Sequence, residues 1–187
     1  MISVHEAANT FVYFALNGGD EPCTNMRLNK LLYFAQGHAL ERFGKPLFAA
    51  DFEAWDFGPV VPEIYRKYKC CGDNPIAATD DGFDPGVLPP EVQDLLAEVS
   101  VRYENLSTSA LVKLSHRKGS PWFNAPRNEA IPIDAIGNWF SQSEPPLKSV
   151  NDLLKERGIV AREATLDMWR DDEDDDCAEG ESGLAER

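Results

Sequence analysis

The sequence predicts a mostly α-helical, compact single-domain fold built around one central helix, with one short extended element, a C-terminal helical extension and an acidic tail. Three observations predict it. Leu28, Leu32, Ala35, Ala39 and Phe43 recur at steps of three and four, which places side chains on one face of a helix. The same period returns in several later segments, each opened by a capping residue or a proline. One stretch alone, Phe52-Glu53-Ala54-Trp55-Asp56-Phe57, alternates and is rich in aromatics, as a short strand would be.

Taken in order, Ser3 caps a first helix over residues 4–17, and Glu6 three positions on completes a capping box. Ala7, Ala8, Phe11, Val12, Phe14 and Ala15 form its apolar face, and Gly18-Gly19 ends it. Thr24 caps the central helix and Gly44 supplies its C′ position. Leu31, Phe34 and Leu40 widen the apolar face, so contact from two sides is expected. After the extended segment, Gly58-Pro59 is expected to stop it, and Pro62 suits the first turn of a helix over residues 62–70. Residues 72–90 are rich in Gly, Pro and Asp and form a long loop. Val92, Leu95, Leu96, Val99 and Tyr103 mark a helix from residue 90 or 91 to about 104. Ser107 opens a shorter helix bearing Leu111, Leu114 and Ser115, and Ser120-Pro121-Trp122 has the form of cap, first-turn proline and buried aromatic. Asp134 is expected to cap a final short helix through Trp139 and Phe140. Glu144-Pro145-Pro146 closes the domain over residues 1–146. A helical pattern broken at Gly158 covers residues 147–170, and residues 171–187 form an acidic tail expected to be disordered.

The 187 residues carry 18 Lys plus Arg against 32 Asp plus Glu, a net charge of −14. Nine acids against Arg187 put −8 of it in residues 171–187. That field repels phosphate backbones and argues against autonomous nucleic-acid binding, since the basic clusters Arg66-Lys67-Tyr68-Lys69 and His116-Arg117-Lys118 are short. Cys23, Cys70, Cys71 and Cys177 show neither zinc-ligand spacing nor a disulfide framework. No run of about eighteen apolar residues and no signal-peptide core is present, so a cytoplasmic, reducing setting is expected.

No catalytic constellation emerges. His38 sits within the central helix, where a lone histidine is a satisfied structural residue more often than a ligand, and no second His lies four residues away. Ser115 and His116 are adjacent, so they point apart on a helix and do not form a nucleophile–base pair. Phosphate-loop, dinucleotide-binding and nucleophile-elbow motifs are absent. No catalytic, cofactor or metal residue is assigned. Trp55, Phe57, Pro59 and Tyr65 cluster around a tight turn. They either pack that segment on the central helix or form a partner-binding edge, and Trp122 and Phe123 invite the same two readings. Two alternatives stay open from the residues alone: a hydrolase or metal enzyme using His38 or His116, and an acidic regulator that mimics nucleic acid.

The order of motifs is more specific than any one of them. Lys30-Leu31-Leu32-Tyr33-Phe34-Ala35-Gln36-Gly37 precedes Pro46-Leu47-Phe48, then Glu53-Ala54-Trp55-Asp56-Phe57-Gly58-Pro59-Val60-Val61-Pro62-Glu63-Ile64-Tyr65, and later Leu114-Ser115-His116, Ser120-Pro121-Trp122 and Ile131-Pro132-Ile133. Over residues 4–141 this series resembles the Panacea-domain family, the SocA-like antitoxins that include the phage-associated GepA-like proteins. Ser115 stands where many relatives carry Thr. The resemblance implies a small helical antitoxin that neutralises a cognate toxin protein by direct binding. The family's namesake acts as a proteolytic adaptor that presents its toxin to the ClpXP protease, and the sequence does not separate that protein from its relatives. The family brings no motif-defined catalytic residues. Partner contact is assigned to Trp55, Phe57, Pro59, Tyr65 and Trp122.

Overall fold

A computed structural model of the chain describes residues 1–18 and 21–157. Among them are eight α-helices and one small sheet, the mostly helical fold that the periodicity predicts. Helix α1 (Val4–Leu16) opens with the expected capping box between Ser3 and Glu6. Helix α2 (Asn25–Phe43) starts at Thr24, whose side chain accepts from the Arg27 amide, and ends at Gly44 in the left-handed conformation. Every residue from Arg27 to Ala39 is buried. Over that stretch the helix is therefore enclosed on all sides, beyond the two-sided contact expected from its apolar face.

The enclosure comes from α1, α3 (Pro62–Lys67), α4 (Pro90–Tyr103), α5 (Thr108–Ser115), α7 (Ile133–Ser143) and one strand, all of which touch α2. Gly37 permits the closest approach. A Cβ there would lie 2.2 Å from the Phe140 ring of α7, so the two helices meet at this distance only because the side chain is absent. Tyr33, Phe34, Phe52, Tyr103 and Phe140 pack edge-on or stacked around the centre of α2.

The extended element differs from expectation. Gly58-Pro59 does not end it: β1 (Phe52–Trp55) turns through Asp56 and Phe57 into β2 (Gly58–Val60), pairing Trp55 with Gly58 and Glu53 with Val60. A third strand, β3 (Ala130–Ile131), pairs with the other side of β1, giving the order β2-β1-β3. Proline is tolerated in β2 because that strand is an edge and needs no amide donor on its outer side. Two smaller differences follow from capping. Asp134 lies inside the first turn of α7 while Pro132 takes the cap position, and α3 ends at Lys67 before a separate 3-10 turn over Lys69–Cys71.

The loop over residues 72–90 contains a 3-10 turn (Pro85–Val87) and is tied down by Asp80, which is hydrogen-bonded to Asn9 of α1 and ion-paired with Lys67. Helix α6 (Pro121–Asn124) is capped by Ser120 as expected. Helix α8 (Val150–Glu156) packs on α4, where the Val150 amide donates to Glu98 and Arg157 pairs with Glu104. The acidic run after residue 170 lies outside the described residues.

Candidate functional site

The N-terminal half of α2 carries four buried polar residues, each sent to the backbone of another element. Asn25 donates to the Tyr65 carbonyl (3.0 Å) and Asn29 accepts from the Val61 amide (2.9 Å), while the two asparagines bond to each other. Lys30 donates to the Pro59 carbonyl (2.7 Å). Arg27 donates to the carbonyl of Tyr103 at the C-terminal end of α4, where a helix dipole favours a cation, and to that of Leu106 in the turn that follows. Three of the four therefore fix the β2–α3 connection on α2. Unmade, such bonds would leave buried amides and carbonyls unsatisfied at a cost of about 1–3 kcal/mol each.

The hairpin held in this way presents its tip to a cleft of about 370 Å³ between α2, the hairpin and α3. Trp55 and Tyr65 meet edge to face at 4.8 Å on its wall, and Phe57, 64% exposed, stands at its rim. Lys30 and Asn29 line its inner end, with Lys69, Asp73 and Asn128 on the outer side. Gly58 adopts φ 103°, and a Cβ on it would fall 2.8 Å from both Lys30 Cε and Ser115 Oγ. A side chain there would displace the lysine.

The five residues singled out from the sequence take three different places. Trp55, Phe57 and Tyr65 share the cleft. Pro59 is buried and contributes through its carbonyl. Trp122 is on the other side of Trp55, donating from its indole to the Trp55 carbonyl (2.8 Å) and covering the His116 ring at 3.6 Å. It lines a neighbouring groove with Phe123 and Arg127. Sequence reasoning missed Asn25, Asn29 and Lys30 as parts of the site. The available signal was three polar residues on a helix whose flanking positions are core.

The histidines do not converge. His38 bonds through Nε2 to the Tyr103 hydroxyl (3.1 Å) inside the core, and burial pushes its pKa down to about 3, so it is neutral at ordinary pH. His116 is also lowered, first by burial and then by the Lys30 charge. Among the described residues no group of three His, Cys, Asp or Glu side chains could hold a metal ion, and no helix is long and apolar enough to cross a membrane.

Comparison with known proteins bears on this geometry. The family described as "Antitoxin SocA-like, Panacea domain" matches residues 28–123, half of the chain. The chain belongs to this family. The matched region runs from the buried part of α2 through the hairpin, α3, α4 and α5 to Phe123, and so contains Trp55, Phe57, Tyr65 and the Lys30 anchor, whereas Asn25, Met26 and Asn128 of the cleft lining lie outside it. Antitoxin SocA of Caulobacter vibrioides (strain NA1000 / CB15N) is 41% identical over 112 residues, which cover 55% of this chain and 60% of that relative. The chain is thus a relative of that protein and matches under two thirds of its length. No solved structure matches. The family signature has a physical content in this fold: Lys30 of the first motif is hydrogen-bonded to Pro59 of the second, and Gln36 of the first holds both amides of Leu47 and Phe48.

Proposed function

We propose that the chain is the antitoxin of a toxin–antitoxin pair and neutralises its toxin by direct protein contact at the cleft beside Trp55, Phe57 and Tyr65. Phe57 carries this reading. It is a large aromatic left 64% exposed at the tip of a hairpin anchored from below, inside the region that matches an antitoxin family. Aromatic anchors of this kind dominate interface energies. Trp122 braces the hairpin through the Trp55 carbonyl, and Pro59 acts through its backbone. The reading assigns no catalysis, and its setting is the cytoplasm. It divides the chain into a toxin-binding domain over residues 1–146, a helical extension over 147–170 and an acidic tail over 171–187.

Removing this gene alone should abolish viability, and removing the neighbouring gene as well should restore it. A harmless single deletion with an intact, expressed neighbour contradicts the antitoxin role. In the finer form of the proposal the bound toxin is delivered to ClpXP, as implied by the resemblance to the family's namesake. The half-life of the neighbouring gene's product then shortens only when this chain is present. An unchanged half-life leaves neutralisation by occlusion.

A further inference from the structure

Lys30 is the least expected residue in the cleft. It is 1% exposed, and its ammonium, which has three protons to donate, makes one hydrogen bond, to the Pro59 carbonyl. Among the described residues no carboxylate pairs with it. The groups around it give it no counter-ion. From α5, the Ser115 hydroxyl is committed to the Val112 carbonyl, and His116 is held towards its neutral form. From the hairpin come the Gly58 and Pro59 backbone, and Asp56 at the turn is paired with Arg127. Lys69, Asp73 and Tyr65 share the cleft lining, and among the described residues Asp73 makes no ion pair. A buried cation without a counter-ion is unfavourable, and hydrophobic residues of similar size do better at such a place unless the charge is used.

We propose that Lys30 receives an acidic side chain of the protein partner at the inner end of this cleft, so that the partner supplies the counter-ion that the fold lacks. The inference rests on the antitoxin reading above and names the chemistry of its partner: a carboxylate flanked by apolar side chains. The apolar neighbours pack on Trp55, Phe57, Val60 and Met26, which line the same cleft.

Burial lowers the Lys30 pKa to about 7 in the free chain. A docked carboxylate favours the charged form and raises it. The free lysine is then mostly neutral at about pH 8 and charged in the complex, so binding takes up a proton at that pH and none at about pH 6. Affinity therefore falls as pH rises above about 7, by up to tenfold per unit.

The test is titration calorimetry of the full chain with the product of the neighbouring gene, in buffers of different ionisation enthalpy. The expected result is uptake approaching one proton at about pH 8 and little at about pH 6. K30R, whose guanidinium stays charged, binds without that uptake. K30M, checked for native unfolding temperature, binds about thirty-fold more weakly at pH 6.5. Binding by the unaltered chain without proton uptake at pH 8 overturns the inference, as does equal affinity of folded K30M. Should K30M fail to fold, the uptake by the unaltered chain decides. Absence of any binding by that chain overturns the antitoxin reading, and this inference with it.

Discussion

Two stretches of α2, both buried except at Met26, do different things. From Leu32 to Ala39 the helix meets its neighbours mainly through side-chain packing: Tyr33 and Phe34 against Phe52, Tyr103 and Phe140, with Gly37 set against the Phe140 ring. From Asn25 to Lys30 it meets them through hydrogen bonds to backbone groups of the hairpin, α3 and the end of α4. Apolar burial is strong but carries little direction. Directed bonds fix where a segment sits and which way its tip points. The C-terminal half thus holds the fold together, and the N-terminal half aims the hairpin. Gln36 is a partial exception, bonding to the backbone of Leu47 and Phe48 within the packed half.

That division can be broken first at Gly37. Gly37→Ala places a carbon 2.2 Å from Phe140 on a rigid ring, so about 3 kcal/mol of stability should be lost in urea unfolding, with Phe140→Leu recovering part of it. A mild effect would show that α2 and α7 separate easily and that the packed half is not tight.

His38 tests the same half by pH. Its folded pKa, about 3, lies below the unfolded value of 6.5, so the unfolded chain binds the extra proton between those limits. Stability is then unaffected by this group above about pH 6.5 and falls as pH drops through the window, by at most about 1.4 kcal/mol per unit. Urea midpoints across pH 4–7 should show a shallower decline in His38→Gln.

Trp122→Phe keeps a ring over His116 but removes the donor to the Trp55 carbonyl. About 1 kcal/mol of stability should go, with hydrogen exchange quickening at the hairpin more than in α7. Equal quickening in both would mean that the hairpin is not a separately anchored unit.

How far the sequence carried depends on the range of the interaction. Caps at Ser3, Thr24, Ser107 and Ser120 are local patterns, and all four form as expected. The hairpin is not legible locally because Gly58 and Pro59 have the character of breakers, and Lys30, 28 and 29 residues earlier in the chain, fills the space and takes the free carbonyl. Arg27 reaches carbonyls more than seventy residues away, which no local pattern reports. Asp134 is not the cap of α7 because Pro132 takes that position two residues earlier. At the site, aromatic clustering brought Trp55, Phe57 and Tyr65 into view, whereas the polar anchors beneath them were hidden by the helix's own periodicity.

The most direct test of the aiming role is Phe57→Ala in the full chain, measured for unfolding and for affinity to the neighbouring gene's product. Phe57 is exposed at the tip, so stability should stay within about 0.5 kcal/mol of the unaltered chain. Affinity should fall by about 2 kcal/mol or more, as expected for an aromatic anchor. Unchanged affinity with unchanged stability would contradict the account and move the contact surface away from this hairpin.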